Sequence, residues 1–553
     1  MGFEELLRHV GHNGKFQILS MLTLTFLNLL SSPHDFMENF TAAIPAHHCY
    51  VHLLDNPKSA ANITINLTAD ALLRVSIPVG PNQKPEQCRR FRQTQWQLLD
   101  SNVSAMNNTE LETEPCLDGW TYDQSVFTST IVTEWDLVCD SQSFRYFAQT
   151  ISMTGYLMGT TVNGIFSDRF GRKPLLVTGC LAYGILGTCC AFAPIFSVYC
   201  ILRFLMSACI SAIQNNTILL LLEGTSSTWH PAVVTVFGLS WSVGQALFAG
   251  LAYVFRDWHM LQLALILPYF IISLFICWIP ESVRWLITTG KTERALRELQ
   301  KIAYINGKKD AAESLTTEVL RSKLRKNLNV TSKHFRVKEI IINPTVRKVV
   351  LSASILTFSS LFSSYGLLLD IQTLGKDMFL TQFLLGLIDL PSKLLTFFII
   401  RHINRRPSVA FSLLLLGSSI LITIFVFEEM HILRLIIILL GKASFSTFTS
   451  LFLVFGSELS PTILRSTLQS ICIFASRLAA TLSALTLVTR RYFIHLPMIL
   501  YGTFPIVSSI CVYFLPETFN LPLPDTIKDM EKRYRNKSTR ENQREDLLET
   551  TEV

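Results

Sequence analysis

Charge is what this 553-residue chain has least of. Only 16% of its residues are Asp, Glu, Lys or Arg and 49% are hydrophobic, where an ordinary soluble domain carries about 25% charged residues. Scarce charge with repeated long apolar runs excludes a soluble globular protein and points to a polytopic membrane protein. Other absences narrow the function. There is no metal-ligand spacing, no glycine-rich nucleotide loop and no Ser-His-Asp signature. An enzyme, a metal, a cofactor and a nucleic-acid partner are therefore not expected. The first apolar run, residues 16–30, lacks a signal peptide's features: Glu4 and Glu5 precede it and no A-x-A site follows, so it reads as a retained helix. "MGFEEL" carries Leu6 where N-myristoylation wants Ser or Thr, so no lipid anchor is expected.

What is present is a series of apolar runs long enough to cross the bilayer, about 17–25 residues each. Twelve are expected, centred near residues 25, 155, 184, 210, 242, 269, 357, 389, 418, 442, 478 and 504. The fold class is thus all-α, a polytopic membrane protein of twelve helices. The expected organisation is residues 1–36 as N-terminus and first span, 37–143 as a hydrophilic insertion, and 144–279 as spans two to six. Residues 280–346 follow as a linker, 347–516 as spans seven to twelve and 517–553 as a tail.

The two hydrophilic insertions have opposite character. Residues 37–143 hold six Lys/Arg against thirteen Asp/Glu, a net charge of −7. They contain N-x-[ST] sequons at Asn39, Asn62, Asn66, Asn102 and Asn107 and four cysteines, Cys49, Cys88, Cys116 and Cys139. That combination fits an oxidised, glycosylated extracellular loop with two disulfides, whose pairing the spacing leaves open among three connectivities. Residues 280–348 hold sixteen Lys/Arg against seven Asp/Glu, a net +9, a cytosolic composition. Arg169, Arg172 and Lys173, with Arg401, Arg405 and Arg406, fall on the same side as that basic linker, and both termini are placed there. Arg490 and Arg491 fall on the opposite side. The other eight cysteines lie in or beside spans and read as small buried hydrophobes.

The halves repeat. "GRKP" at 171–174 is echoed by "NRRP" at 404–407, Glu223 by Glu458, and "PES" at 280–282 by "PET" at 516–518. Pro174 to Glu223 is 49 residues and Pro407 to Glu458 is 51; Glu223 to Pro280 is 57 and Glu458 to Pro516 is 58. Three markers in order at nearly equal distances imply a duplicated six-helix unit. Two such halves joined by a long linker resemble the major facilitator arrangement, in which the halves rock about a midplane site. The turn Gly164-x-x-x-Asp168-Arg169-x-Gly171-Arg172-Lys173 fits that superfamily's loop signature. Its glycines permit a close turn and close helix approach. Asp168 is expected to hold a helix start in the opposite half, or an arginine, when the inward side is shut. Simple charge anchoring would need the basic residues but neither the Asp nor the glycines. Arg401 stands at the Asp168 position in the second half, so that half, with Arg405 and Glu458, is expected to latch differently from the Glu223 half.

"ENFTAAIPAHHC" (38–49), "EPCLDGWTYD" (114–123), "STIVTEWDLVC" (129–139), "PESVRWL" (280–286), "YGLLLDIQTLG" (365–375) and "LPETFNLPLPDTI" (515–527) resemble the organic anion transporters. These are a branch of the organic anion/cation/zwitterion family of the facilitator superfamily, solute carrier 22. The resemblance covers essentially the whole chain. It implies sodium-independent uptake or exchange of amphiphilic organic anions at the plasma membrane without ATP hydrolysis. The implied partners are small organic anions, a counter-transported anion and the bilayer, with a monomer as the working unit. It favours the disulfides Cys49–Cys116 and Cys88–Cys139.

An anion carrier needs fixed positive charge inside its bundle, at a cost of about 2.5–3.5 kcal/mol per cation at the bilayer centre on insertion scales. Lys393 in "IDLPSKLLTFF" and Arg477 in "CIFASRLAATL" sit mid-span and match positions where the resemblance places substrate-pairing cations. Lys393 has Asp389 at i−4, a spacing that allows a permanent pair instead. Trp241 and Tyr365 stand where the family lines its cavity with rings. Thr357, Ser364 and Thr449 stand where other members have rings, and Asp35 replaces an amide. Fewer rings leave a roomier pocket, which favours prostanoids or steroid sulfates over small aromatic anions. A urate or small-carboxylate exchanger is the alternative substrate class. A receptor-like or adhesion protein using the glycosylated loop is the alternative outside transport, disfavoured by the intramembrane cations.

Overall fold

A computed structural model describes residues 11, 14–55, 69–80, 84–99, 112–226, 229–308, 342–369, 377–427, 430–460, 465–519 and 530–532. Of the sequons, Asn62, Asn66, Asn102 and Asn107 lie outside these residues, as do most of the linker and of the tail.

The membrane helices, in order, are Lys15–Ser31, Gln142–Phe170, Arg172–Ala191, Phe196–Gly224, His230–Val254 and Trp258–Trp278 in the first half. The second half has Pro344–Leu369, the paired Met378–Leu387 and Asp389–His402, Arg405–Phe425, His431–Leu459, Arg465–Thr486 and Leu496–Tyr513. Every centre expected from the sequence falls inside one of these twelve. Eleven helices are apolar and long enough to cross a membrane by length and composition alone. The exception is the second, Gln142–Phe170, which at 29 residues is long enough but more polar. Its polar side chains are spent on the fourth span: Ser152 meets Ser207 at 2.7 Å, Asn163 donates to the Ala208 carbonyl at 3.0 Å, and Ser167 donates to Asn216 at 2.5 Å. A helix whose polar groups are paired within the bundle crosses without a uniformly apolar surface.

Two spans are interrupted by proline. Pro33 ends the first helix, and the chain continues as a 3-10 turn, Ser32–Asp35, and a short helix, Met37–Thr41. Proline supplies no N–H and crowds the preceding turn. In the eighth span Pro391 leaves the Leu387 carbonyl without its i+4 donor, and the helix breaks at Ile388 between Leu387 and Asp389. Each interruption sets an acidic residue, Asp35 or Asp389, at a break in the helix.

Two short helices follow the sixth span, Val283–Thr288 and Thr292–Ile305. Trp285, Leu286, Leu299 and Ile302 pack with Phe16 in one buried cluster. Asn306 binds the start of the first span, accepting from the Phe16 N–H at 3.0 Å and donating to Gln17 at 3.0 Å. The Phe16 N–H is one of the orphan donors that a helix start must satisfy.

A separate compact unit comprises Phe40–Arg145 with Phe255–Leu261. It holds two antiparallel ribbons: β1 (His47–Cys49) pairs with β4 (Trp120–Tyr122), and β2 (Arg89–Phe91) with β3 (Thr113–Pro115). Two-stranded ribbons this short are not stable alone. Disulfides Cys49–Cys116 and Cys88–Cys139 staple them, and Arg90 ties Glu114 at 2.8 Å and Asp118 at 2.7 Å.

Candidate functional site

The loop signature and its echo become two matching clusters. The third span begins at Arg172, and its first N–H groups have no intrahelical acceptors. Glu281 of the "PES" marker supplies one, receiving the Arg172 and Lys173 N–H groups at 3.0 and 3.1 Å. A carboxylate at a helix N-terminus also answers the helix dipole. The Arg172 side chain lies 3.5 Å from Glu223 and 2.9 Å from Asp168, and Lys173 Nζ donates to the Cys277 carbonyl at 2.7 Å. In the second half Glu517 of "PET" receives the Arg405 and Arg406 N–H groups at 3.0 and 3.1 Å. Arg405 lies 3.5 Å from Glu458, and Arg406 donates to the Tyr513 carbonyl at 2.5 Å. The halves share a core, in which each uses an arginine, the glutamate of its fourth helix and the glutamate after its sixth. They differ as expected at Asp168, which pairs with Arg172 while its counterpart Arg401 is exposed, and at Glu458, which also accepts from the Thr518 hydroxyl at 2.6 Å.

Asp168 itself is 78% exposed and pairs with Arg172 in its own turn, and among the described residues it holds no helix of the opposite half. Arg169 is exposed beside Phe170. Gly171 is required, at φ +111° with Glu281 Oε2 only 2.3 Å from where a Cβ would sit. Gly164 is not a close-approach glycine: nothing lies within 4 Å of its would-be Cβ.

Deeper in the bundle, five spans converge on Arg477. Its Nη2 donates to the Tyr156 hydroxyl at 3.0 Å while its guanidinium stacks 3.9 Å from the Tyr156 ring centroid. Its Nη1 reaches the Tyr365 hydroxyl at 3.5 Å. Tyr365 donates to Asp35 at 2.9 Å, and Tyr156 to Gln214. The chain Asp35–Tyr365–Arg477–Tyr156–Gln214 thus links the first, seventh, eleventh, second and fourth spans. Among the described residues no carboxylate lies within 4.0 Å of Arg477. A guanidinium carries five donors, and here the side chains it meets are two phenol hydroxyls.

The second expected cation does not make the i−4 pair that its spacing allows. Asp389 does not pair with Lys393; it pairs with Lys442 of the tenth span at 3.5 Å. Lys442 is 4% exposed. Lys393 extends across the fifth span, its Nζ 2.6 Å from the would-be Cβ of Gly238, and has no ion partner within 4.0 Å among the described residues. Only a glycine leaves room for the ammonium there. Trp241, one turn along that span, is half-buried.

Asn39 is corrected as a glycosylation site. It is 5% exposed, and its Nδ2, the atom a glycan would join, donates to the Leu368 carbonyl at 2.9 Å. Sequence reasoning missed Arg203, Glu38, Lys442, Tyr156 and Gln214. Arg203 and Glu38 form a buried pair at 2.8 Å. Arg203 and Lys442 carry the same signal as Lys393 and Arg477, a lone cation inside an apolar run.

The chain matches the sugar (and other) transporter family over residues 118–527. It is 61% identical to solute carrier family 22 member 22 of Mus musculus over the full length of both chains. It is 44% identical to solute carrier family 22 member 12 of Rattus norvegicus, covering 96% of each chain. It is 43% identical to a steroid transmembrane transporter, SLC22A24, of Microcebus murinus, covering 99% of each. Among solved structures, the xylose transporter XylE from E. coli in its inward open conformation matches with TM-score 0.61 and 16% identity, over 92% of this chain and 98% of that one. That likeness establishes the major facilitator fold.

Proposed function

The chain belongs to the sugar (and other) transporter family and, within it, to solute carrier family 22, and on that premise we propose that it carries amphiphilic organic anions across the plasma membrane by alternating access. It is a multi-pass membrane transporter and not an enzyme. The observation that carries the anion reading is Arg477, a membrane-depth guanidinium with no carboxylate in ion-pair range among the described residues. A buried cation costs free energy unless its charge is answered; Asp35 reaches this one only through the Tyr365 hydroxyl, and an anionic substrate would answer it directly. Lys393 is a second such cation; Tyr365 is the ring that touches Arg477, and Trp241 is proposed as a further lining ring. Thr357, Ser364 and Thr449 are small residues for such positions, which favours a bulkier substrate. Steroid sulfates and prostanoids are the favoured substrates, and the relative named as a steroid transporter supports that size class. The same proposal places both termini in the cytosol, glycans on Asn62, Asn66, Asn102 and Asn107, and a monomer as the working unit.

The test is uptake of labelled estrone sulfate, prostaglandin E2 and urate by one expressing cell line, normalised to surface protein. Arg477→Ala is expected to weaken anion uptake at least about tenfold, equivalent to about 1.4 kcal/mol. Arg477→Lys recovers part of it, because the planar fork is lost, and Arg477→Asp abolishes it. Urate alone being carried would replace the substrate class. Wild-type affinity and rate in Arg477→Ala for every anion would overturn the site.

A further inference from the structure

The proposed anion site already contains an anion. Asp35 is 6% exposed and accepts from the Tyr365 hydroxyl, whose oxygen lies 3.5 Å from Arg477. One hydroxyl therefore separates the carboxylate from the guanidinium. The other charged groups nearby are accounted for. On Asp35's own segment, Glu38 is paired with Arg203 of the fourth span. His34 meets neutral hydroxyls through both ring nitrogens, Tyr183 of the third span at 3.1 Å and Ser207 of the fourth at 3.2 Å. The second, third, sixth and seventh spans present phenols that feel the Asp35 charge, namely Tyr156, Tyr183, Tyr269 and Tyr365, and the eleventh presents Arg477. The fifth span packs on Ser32 through Gly244 and carries no ionisable residue between Val233 and Ala252. Among the described residues, Asp35 is thus the carboxylate that answers Arg477, and it does so at one remove.

A substrate anion arriving at Arg477 would sit beside this carboxylate. Two negative charges within a few ångström in a dry site do not both remain ionised; one takes a proton. We propose that Asp35 is a tethered counter-ion: ionised, it holds Arg477 through Tyr365 and competes with the substrate, and protonated, it yields the guanidinium, so that each anionic group bound is accompanied by one proton. The proton comes from water on the entry side and forms an O–H bond on the Asp35 carboxyl. It returns to water on the exit side when the anion leaves and the carboxylate reclaims Tyr365. A monoanion then crosses with one proton, without net charge. This rests on Arg477 being the anion site.

The experiment uses the full chain in cells and whichever of the three labelled anions it carries. Initial uptake is compared at external pH of about 7.5 and about 5.5, which changes the proton supply on the entry side about a hundredfold. Wild type is expected to speed up several-fold in acid. Asp35→Asn is expected to give equal rates at both, at least as fast as acidified wild type, and Asp35→Ser serves if the Asn variant does not reach the surface. Asp35→Glu is expected to keep the acid response. Comparison between variants cancels any titration of the substrate. Independently of any variant, adding substrate to wild-type cells should acidify the cytosol in proportion to uptake. A flat wild-type profile, an unaltered profile in the neutral variants, or uptake without acidification overturns the counter-ion role while leaving the anion site standing. No anion uptake by wild type at either pH overturns both.

Discussion

Arg203 donates to a single oxygen of Glu38 from two nitrogens, Nε at 3.2 Å and Nη2 at 2.8 Å, and is itself 1% exposed. The pair joins the fourth span to the short helix after the first. Removing one partner strands a buried charge, at a cost of about 3–5 kcal/mol. Arg203→Leu and Glu38→Leu are each expected to lower the thermal midpoint of detergent-purified protein. The double variant should lose much less than the sum, which a double-mutant cycle reads directly.

The same logic separates the two lysines near Asp389. Because Lys442 holds that carboxylate, Lys442→Met leaves Asp389 buried and unpaired, and reduced stability is expected. Adding Asp389→Asn should restore most of it, since the stranded charge is gone. Lys393→Met removes a cation without an ion partner among the described residues and should lower anion uptake with little change in thermal midpoint. Equal destabilisation by both lysine variants would contradict the pairing.

Glycine at the turn gives a contrast within eight residues. Gly171→Ala meets both a left-handed backbone and the Glu281 carboxylate, which caps the third span, so surface expression should fall sharply. Gly164→Ala enters open space in a helix interior, where alanine is favoured by about 0.5–1 kcal/mol. It should be neutral or stabilising, as read by surface labelling and thermal unfolding.

For the disulfides, Cys88→Ser and Cys139→Ser should share one defect in surface delivery, and the double variant should be no worse than either. The same holds for Cys49 and Cys116. Loss of a native disulfide from a small domain costs about 2–5 kcal/mol. Additive defects within a pair would contradict the connectivity in the structure.

The helices were legible because twenty-residue apolar runs are a strong signal, and the duplication because "GRKP" and "NRRP", Glu223 and Glu458, and "PES" and "PET" recur at matched spacing. What those glutamates do was not legible. Glu281 and Glu517 act on backbone N–H groups more than a hundred residues earlier, and no local pattern announces that. Asp389 at i−4 from Lys393 suggests a pair along one helix; the approach of the tenth span gives the carboxylate Lys442 instead. Asp35 meets Tyr365 of another span, just after Pro33 ends the first helix. Asn39 was misread because a sequon records acceptor chemistry and says nothing of burial. The disulfide pairing lay beyond spacing, which allows three connectivities.

The two disulfides cross in sequence: Cys88 lies inside the segment closed by Cys49–Cys116, and Cys116 lies inside that closed by Cys88–Cys139. Any single peptide-bond cut between residues 49 and 139 therefore falls within at least one covalent ring. A cut before Cys88 is bridged by the first link, one after Cys116 by the second, and one between them by both. A protease that cuts once between residues 49 and 139 leaves the polypeptide in one piece, and a reductant then separates its two parts.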